Sequence, residues 1–137
     1  MPTKTKSNQY IFAVGRRKSA IARVKLFNGK SESTVNGSPV EKYFPMATAK
    51  IAYNKPFEVT DNDGKYYFQA KIVGGGKFGQ LDALVLAIAR SLTKIDKAAY
   101  NSELRNADLL TVDSRVRERR MVGTGGKARR QKQSPKR

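Results

Sequence analysis

The 137-residue chain contains no cysteine and no histidine. Without cysteine there can be no disulfide and no thiolate metal site. Without histidine the commonest metal ligand and the commonest general base are also missing, so most familiar catalytic machinery is absent. No stretch approaches the roughly 18 consecutive apolar residues of a membrane span. The opening "MPTKTKSNQY" carries basic residues but no apolar run of signal-peptide type, which predicts a product that stays in the compartment that makes it. Acidic residues are scarce too: 11 Asp plus Glu stand against 28 Lys plus Arg, for a net charge of +17. A small chain tolerates self-repulsion of that size when a polyanion neutralises it, and nucleic acid is the leading partner.

What is present fills about one domain. The segments "QYIFAVG" and "SAIARVKLF" alternate with period two, and Arg23 and Lys25 share one strand face. The link "GRRKS" and the turn dipeptides Asn28-Gly29 and Asn36-Gly37 predict a three-stranded antiparallel start. In "SPVEKYFP", Ser38 as N-cap, Pro39 at the first helical position and Glu41 form a capping box, with Pro45 ending a short helix. A further short helix is expected in "MATAKIAY". The segments "PFEVT" and "KYYFQAKIV" around "DNDG" read as a second hairpin. After Gly74–Gly76, apolar residues from Leu81 to Ile95 recur at steps of three and four, which predicts one long amphipathic helix. Asp96 is placed to cap a shorter helix through "KAAYNSELR", and "ADLLTVD" reads as a last strand or extended segment. The expected organisation is a flexible segment 1–8, a globular RNA-binding body 9–113 and an extended basic arm 114–137. Together these elements predict an α+β fold, a two-layer α/β sandwich.

Charge is concentrated at the end. From Ser114 onward there are ten basic residues and one acid, Glu118, and only Val116, Met121, Val122 and Ala128 are apolar. Such a segment cannot offset its ordering entropy alone and is expected to stay extended until it meets RNA.

Three glycine clusters, "GRRKS", "GGGKFGQ" and "GTGGKA", invite a nucleotide-binding reading, but none fits G-x-x-x-x-G-K-[ST]. The middle one follows a strand and opens the long helix, where backbone N–H groups and the helix dipole suit a phosphate. Contact with an RNA backbone, a simple turn and a free nucleotide all remain open at that site. A phosphotransferase would need carboxylates near Gly74–Gly79, and only Asp82 is close. "DNDG" lacks the spacing and distal glutamate of a calcium loop. Tyr66 and Phe68 read as core at strand spacing, against base stacking. A membrane-active cationic helix is discouraged by the glycines and Pro135 of the tail. The basic cluster Arg16, Arg17 and Lys18, the pair Arg23 and Lys25, and the alternating Arg115, Arg117 and Arg119 point as a set to nucleic acid.

Three segments resemble one known family, that of the ninth protein of the small ribosomal subunit in its bacterial or organellar form. They are "GRRKSAIARV", "GGGKFGQLDALVLAIARSL" with its triple glycine, Gly-Gln and late Ala-Arg, and "DSRVRERR" followed by "KARR" and a terminal "KR". The resemblance implies a mostly antiparallel four-stranded sheet with helices on one side, a left-handed βαβ crossover against the right-handed default, and a long basic C-terminal tail. It implies no enzyme and no cofactor. The implied place is a cytoplasmic or organellar ribosome, in the head of the small subunit beside neighbouring head proteins and away from any membrane. Ribosomal RNA would be held by Arg16, Arg17, Lys18, Arg23, Lys25, Gly75, Gly76, Lys77, Gln80, Arg115, Arg117, Arg119, Arg120, Lys127, Arg129, Arg130 and Lys132. The arm would reach the peptidyl site, with Lys136 and Arg137 against the anticodon stem-loop of transfer RNA.

Overall fold

Alternating small and branched residues make the first two segments strands, and a two-residue turn at Lys18 and Ser19 folds them together. In this computed structural model, which describes residues 9–119 and 121–122, β1 (Tyr10–Arg17) pairs antiparallel with β2 (Ala20–Asn28). The chain continues through β3 (Thr34–Val35), β4 (Ser38–Pro39), α1 (Val40–Tyr43), α2 (Ala47–Val59), β5 (Tyr66–Val73), α3 (Lys77–Ile95) and α4 (Lys97–Asn106). The sheet order is β1-β2-β5-β3-β4. β5 is antiparallel to β2 and parallel to β3, and α1 and α2 lie in the connection between that parallel pair.

The α+β class therefore stands, and three of the four strand pairings are antiparallel as expected, while the sheet has five strands instead of four and one parallel pair, β3 with β5. Two things change the count. Asn36 and Gly37 both take positive φ, 52° and 81°, and close a hairpin that makes Ser38 and Pro39 a short edge strand. The Asn36 side chain then donates to the Ile72 carbonyl at 3.0 Å and accepts from the Ile72 N–H at 2.9 Å, locking that hairpin onto β5. β5 thus stands between β2 and β3, and the expected three-stranded antiparallel start does not form. Ser38 is used in the ladder, so the capping box fails as well: Pro39 is the residue before α1 and no side chain caps it.

"PFEVT" belongs to a helix instead of a strand. Ala49, Tyr53, Pro56 and Phe57 fall at helical steps on the buried side of α2, and that burial outweighs the strand preference of Phe57 and Val59. Pro56 is tolerated close to the helix end. "DNDG" is accordingly a helix-to-strand connection and not a hairpin turn. Buried Asn62 organises it, donating to Thr60 Oγ1 at 3.0 Å and accepting from the Tyr100 hydroxyl at 3.3 Å.

The helices lie on one face of the sheet. Leu81, Leu84, Ile88 and Leu92 of α3 are buried with Ala20, Ala22, Val24 and Leu26 of β2 and Phe68, Ala70 and Ile72 of β5. Small residues let α3 approach the strands closely. A Cβ at Gly15 would land on the Ala83 carbonyl oxygen and 2.6 Å from the Ala87 nitrogen. Asp96 caps α4 as expected, accepting from the Ala99 N–H at 3.1 Å. Residues 107–119 form neither helix nor strand, so of the two readings of "ADLLTVD" the final strand fails: a turn at Ala107 and Asp108 leads into irregular chain.

Candidate nucleic-acid interface

Three conspicuous segments meet at one end of the sheet. Gly74 and Gly75, at φ 76° and 66°, fold the loop between β5 and α3 against Ser19 and Ala20 of the β1–β2 turn. A Cβ at Gly74 would strike the Ser19 carbonyl, so glycine is needed there by space as well as by backbone angle. Gly76 precedes α3, and the first turn of that helix presents the positive end of its dipole beside exposed Lys18 and Lys77.

Gln80 closes this loop. Its Nε2 donates to the Gly74 carbonyl at 3.0 Å, and its Oε1 accepts from the Tyr43 hydroxyl at 2.7 Å. Lys77 lies over the Tyr43 ring, 3.5 Å from its centroid, and donates to the Tyr43 carbonyl at 3.2 Å. The Gly-Gln signature is thus a latch that holds the glycine loop and the start of α3 in shape. The Gln80 amide is spent on the protein, while Gly75, Gly76 and Lys77 remain exposed.

The segment around Asp113 and Arg115 lies at the same end. Arg17 points to the helix side, where its side chain is only 12% exposed, and its guanidinium pairs with Asp113 at 3.1 Å and Asp82 at 3.5 Å. It also donates to the backbone carbonyls of Asp113 and Arg115, at 3.2 and 2.9 Å. Arg115 forks onto the Asp113 carboxylate at 2.9 and 2.7 Å, and its backbone N–H bonds the same group. These bonds from Arg115, with the attraction of Arg115 and Arg17, hold the Asp113 carboxyl well below the usual carboxylate range. Arg17 and Arg115 therefore fasten the chain at Asp113–Arg115, whereas Arg117 and Arg119 are exposed beyond it.

Arg16, Arg23 and Lys25 face away from the helices, on the open side of the sheet, and are exposed. Lys71 and Gln69 of β5 lie opposite Arg23 and Lys25 and extend this face, which the basic clusters alone did not reveal. The signal was present in the alternation of "KYYFQAKIV", but only strand pairing sets it beside β2. Arg120, Lys127, Arg129, Arg130, Lys132, Lys136 and Arg137 lie outside the described residues, as does the segment 1–8.

Among the described residues no group of three metal-ligating side chains could hold an ion, and no helix is long and apolar enough to cross a membrane. What the fold defines is a basic α+β structure in which Gly15, Gly74, Gln80 and Arg17 serve architecture, with cations displayed around them. The family profile described as Ribosomal protein S9/S16 matches residues 15–137. The chain is 46% identical over 125 residues to the small ribosomal subunit protein uS9 of Renibacterium salmoninarum, covering 91% of this chain and 74% of that relative. It is 47% identical over the same length to uS9 of Leifsonia xyli. To uS9 of Maridesulfovibrio salexigens it is 40% identical over 120 residues, covering 88% of this chain and 92% of that one. The chain belongs to the ribosomal protein S9/S16 family, and it is a structural constituent rather than an enzyme.

Proposed function

We propose that the chain is a component of the small ribosomal subunit whose body binds ribosomal RNA and whose arm contacts transfer RNA in the peptidyl site. The observation that carries this reading is the meeting of the β1–β2 turn, the glycine loop, the start of α3 and the root of the arm at one end of the sheet. Arg16, Lys18 and Lys77 offer charge there, and Gly75 and Gly76 let a phosphate backbone come close to the main chain. Arg117, Arg119, Arg120, Lys127, Arg129, Arg130 and Lys132 follow the RNA outward as phosphate contacts, which position without reading sequence. Lys136 and Arg137 are the pair assigned to the anticodon stem-loop. Arg17, Gln80 and Arg115 support these contacts from within the protein. The same reading places the protein in the subunit head beside other head proteins, on a cytoplasmic or organellar ribosome, and makes the β3-to-β5 crossover left-handed.

Two measurements test it. The protein should co-sediment with small ribosomal subunits through a moderate-salt wash, and failure to do so refutes the placement. Subunits carrying the chain without Lys136 and Arg137 should release peptidyl-site transfer RNAs faster, by a similar factor for every anticodon. No change for any transfer RNA would remove the assignment of that pair, and a change for one anticodon alone would mean base readout.

A further inference from the structure

The helix-free face of the sheet has its own chemistry. Its outward positions on β1, β2 and β5 are aromatic, aliphatic, amide or basic, and none is acidic. At one end Tyr10, Phe27 and Tyr67 pack in a row, with ring centroids 5.7 and 5.1 Å apart, and Lys25 reaches over Tyr10 at 4.9 Å. Beside them opens a groove of about 830 Å³ lined by Phe12, Arg23, Lys25, Gln69 and Lys71. Phe12 is 43% exposed although it lies mid-strand, directly opposite Lys25. The side chains of Arg23, Gln69 and Lys71 enter no hydrogen bond or ion pair within the described residues, while their backbones serve the ladder. A half-exposed ring flanked by the cations Arg23, Lys25 and Lys71, with no acidic residue among the outward positions of these strands, is complementary to a base whose π-face can stack and whose backbone carries phosphates.

We propose that this face is a binding surface for unpaired RNA, in which Phe12 stacks one base while Arg23 and Lys71 hold the flanking phosphates and Gln69 meets a base edge. The proposal rests on the ribosomal RNA reading above and adds the form of RNA and the residues that receive it. Unpaired RNA is favoured over a duplex because stacking requires a base free of its own helix, and the exposed faces of a duplex are phosphate and sugar. It is favoured over an acidic protein segment because charge pairing alone leaves Phe12 without a use.

The test uses the full chain, a labelled oligouridine and a blunt RNA duplex of the same length, each titrated at several salt concentrations. Phe12→Leu keeps the apolar bulk and removes the ring; it should weaken oligouridine binding about tenfold, in line with the loss of one base–aromatic stack, and leave duplex binding and the salt slope unchanged. Phe12→Tyr should restore wild-type affinity. Arg23→Gln should flatten the oligouridine slope by about 0.7. In the unaltered protein, a thiouridine-containing oligomer should photocrosslink to β1 or β5, which keeps the test decisive if Phe12→Leu does not fold. Equal losses on single strand and duplex, or crosslinks confined to the arm, overturn the proposal. So does an equal loss in binding polyglutamate, which would make the face a docking surface for acidic protein. If the wild-type protein binds neither RNA, the ribosomal RNA reading falls with it; if it binds both and Phe12→Leu changes nothing, this inference alone falls.

Discussion

At the residue scale the family's most recognisable positions turn out to hold the protein together. Gly15 lets β1 lie against the backbone of α3, so Gly15→Ala forces a methyl into Ala83 and Ala87. We expect a loss of about 3 kcal/mol, the upper part of the range for overpacking, read as a lower urea midpoint at unchanged slope. Asp113 acts through charge. Its folded-state pKa is depressed, so the order it lends the arm root is present above the ordinary carboxylate value and is lost as pH falls through the lower folded one. The Arg115 amide resonance, whose N–H bonds the Asp113 carboxylate at 3.1 Å, should hold its position from neutral pH to below pH ~4 and move only in stronger acid. Movement centred near the unperturbed value would mean that the Arg115 fork does not persist in solution.

At the element scale, short connectors decide how the longer pieces meet. The loop between β5 and α3 carries two residues at positive φ and is held by the Gln80 side chain, which ties Gly74 to Tyr43 of α1. Gln80→Ala removes both bonds at a partly exposed site. It should cost about 1–2 kcal/mol and speed amide exchange at Gly75 and Gly76. Unchanged exchange there would show that the glycines hold their shape without the latch. β1 is an edge strand, and α3 guards that edge: Arg90 donates to the Val14 carbonyl at 2.8 Å, and Lys94 donates to that of Phe12. This blunts a strand that could otherwise pair with another chain, and it gives the late Ala-Arg of the helix a use within the fold.

At the scale of the whole molecule, charge and shape divide the work. The net charge of +17 is split almost evenly between residues 114–137 and the much longer remainder. Replacing Lys127, Arg129, Arg130 and Lys132 by glutamine in the full chain should therefore flatten the log–log salt dependence of single-stranded RNA binding by about three units, at about 0.7 per phosphate contact. An unchanged slope would assign the affinity to the body alone.

The composition and local pattern of the chain determined a good deal by themselves. Period-two alternation identified β1, β2 and β5, the step of three and four identified α3, and Asp96 was legible as the α4 cap, because each of these signals is written in neighbouring residues. Local pattern misjudged "PFEVT", "DNDG" and the Ser38 capping box, since burial against α3 and the hairpin at Asn36–Gly37 outweighed local preference. Only tertiary structure could decide the strand order, because β3 pairs with β5 and the Asn36 side chain joins the β3–β4 turn to β5 across 36 residues. It alone separates Arg17, turned inward to hold Asp113, 96 residues away, from Arg16, its neighbour on the open face. A strand sends successive side chains to opposite sides, but which side becomes core depends on what packs there, and that is a property of the whole chain.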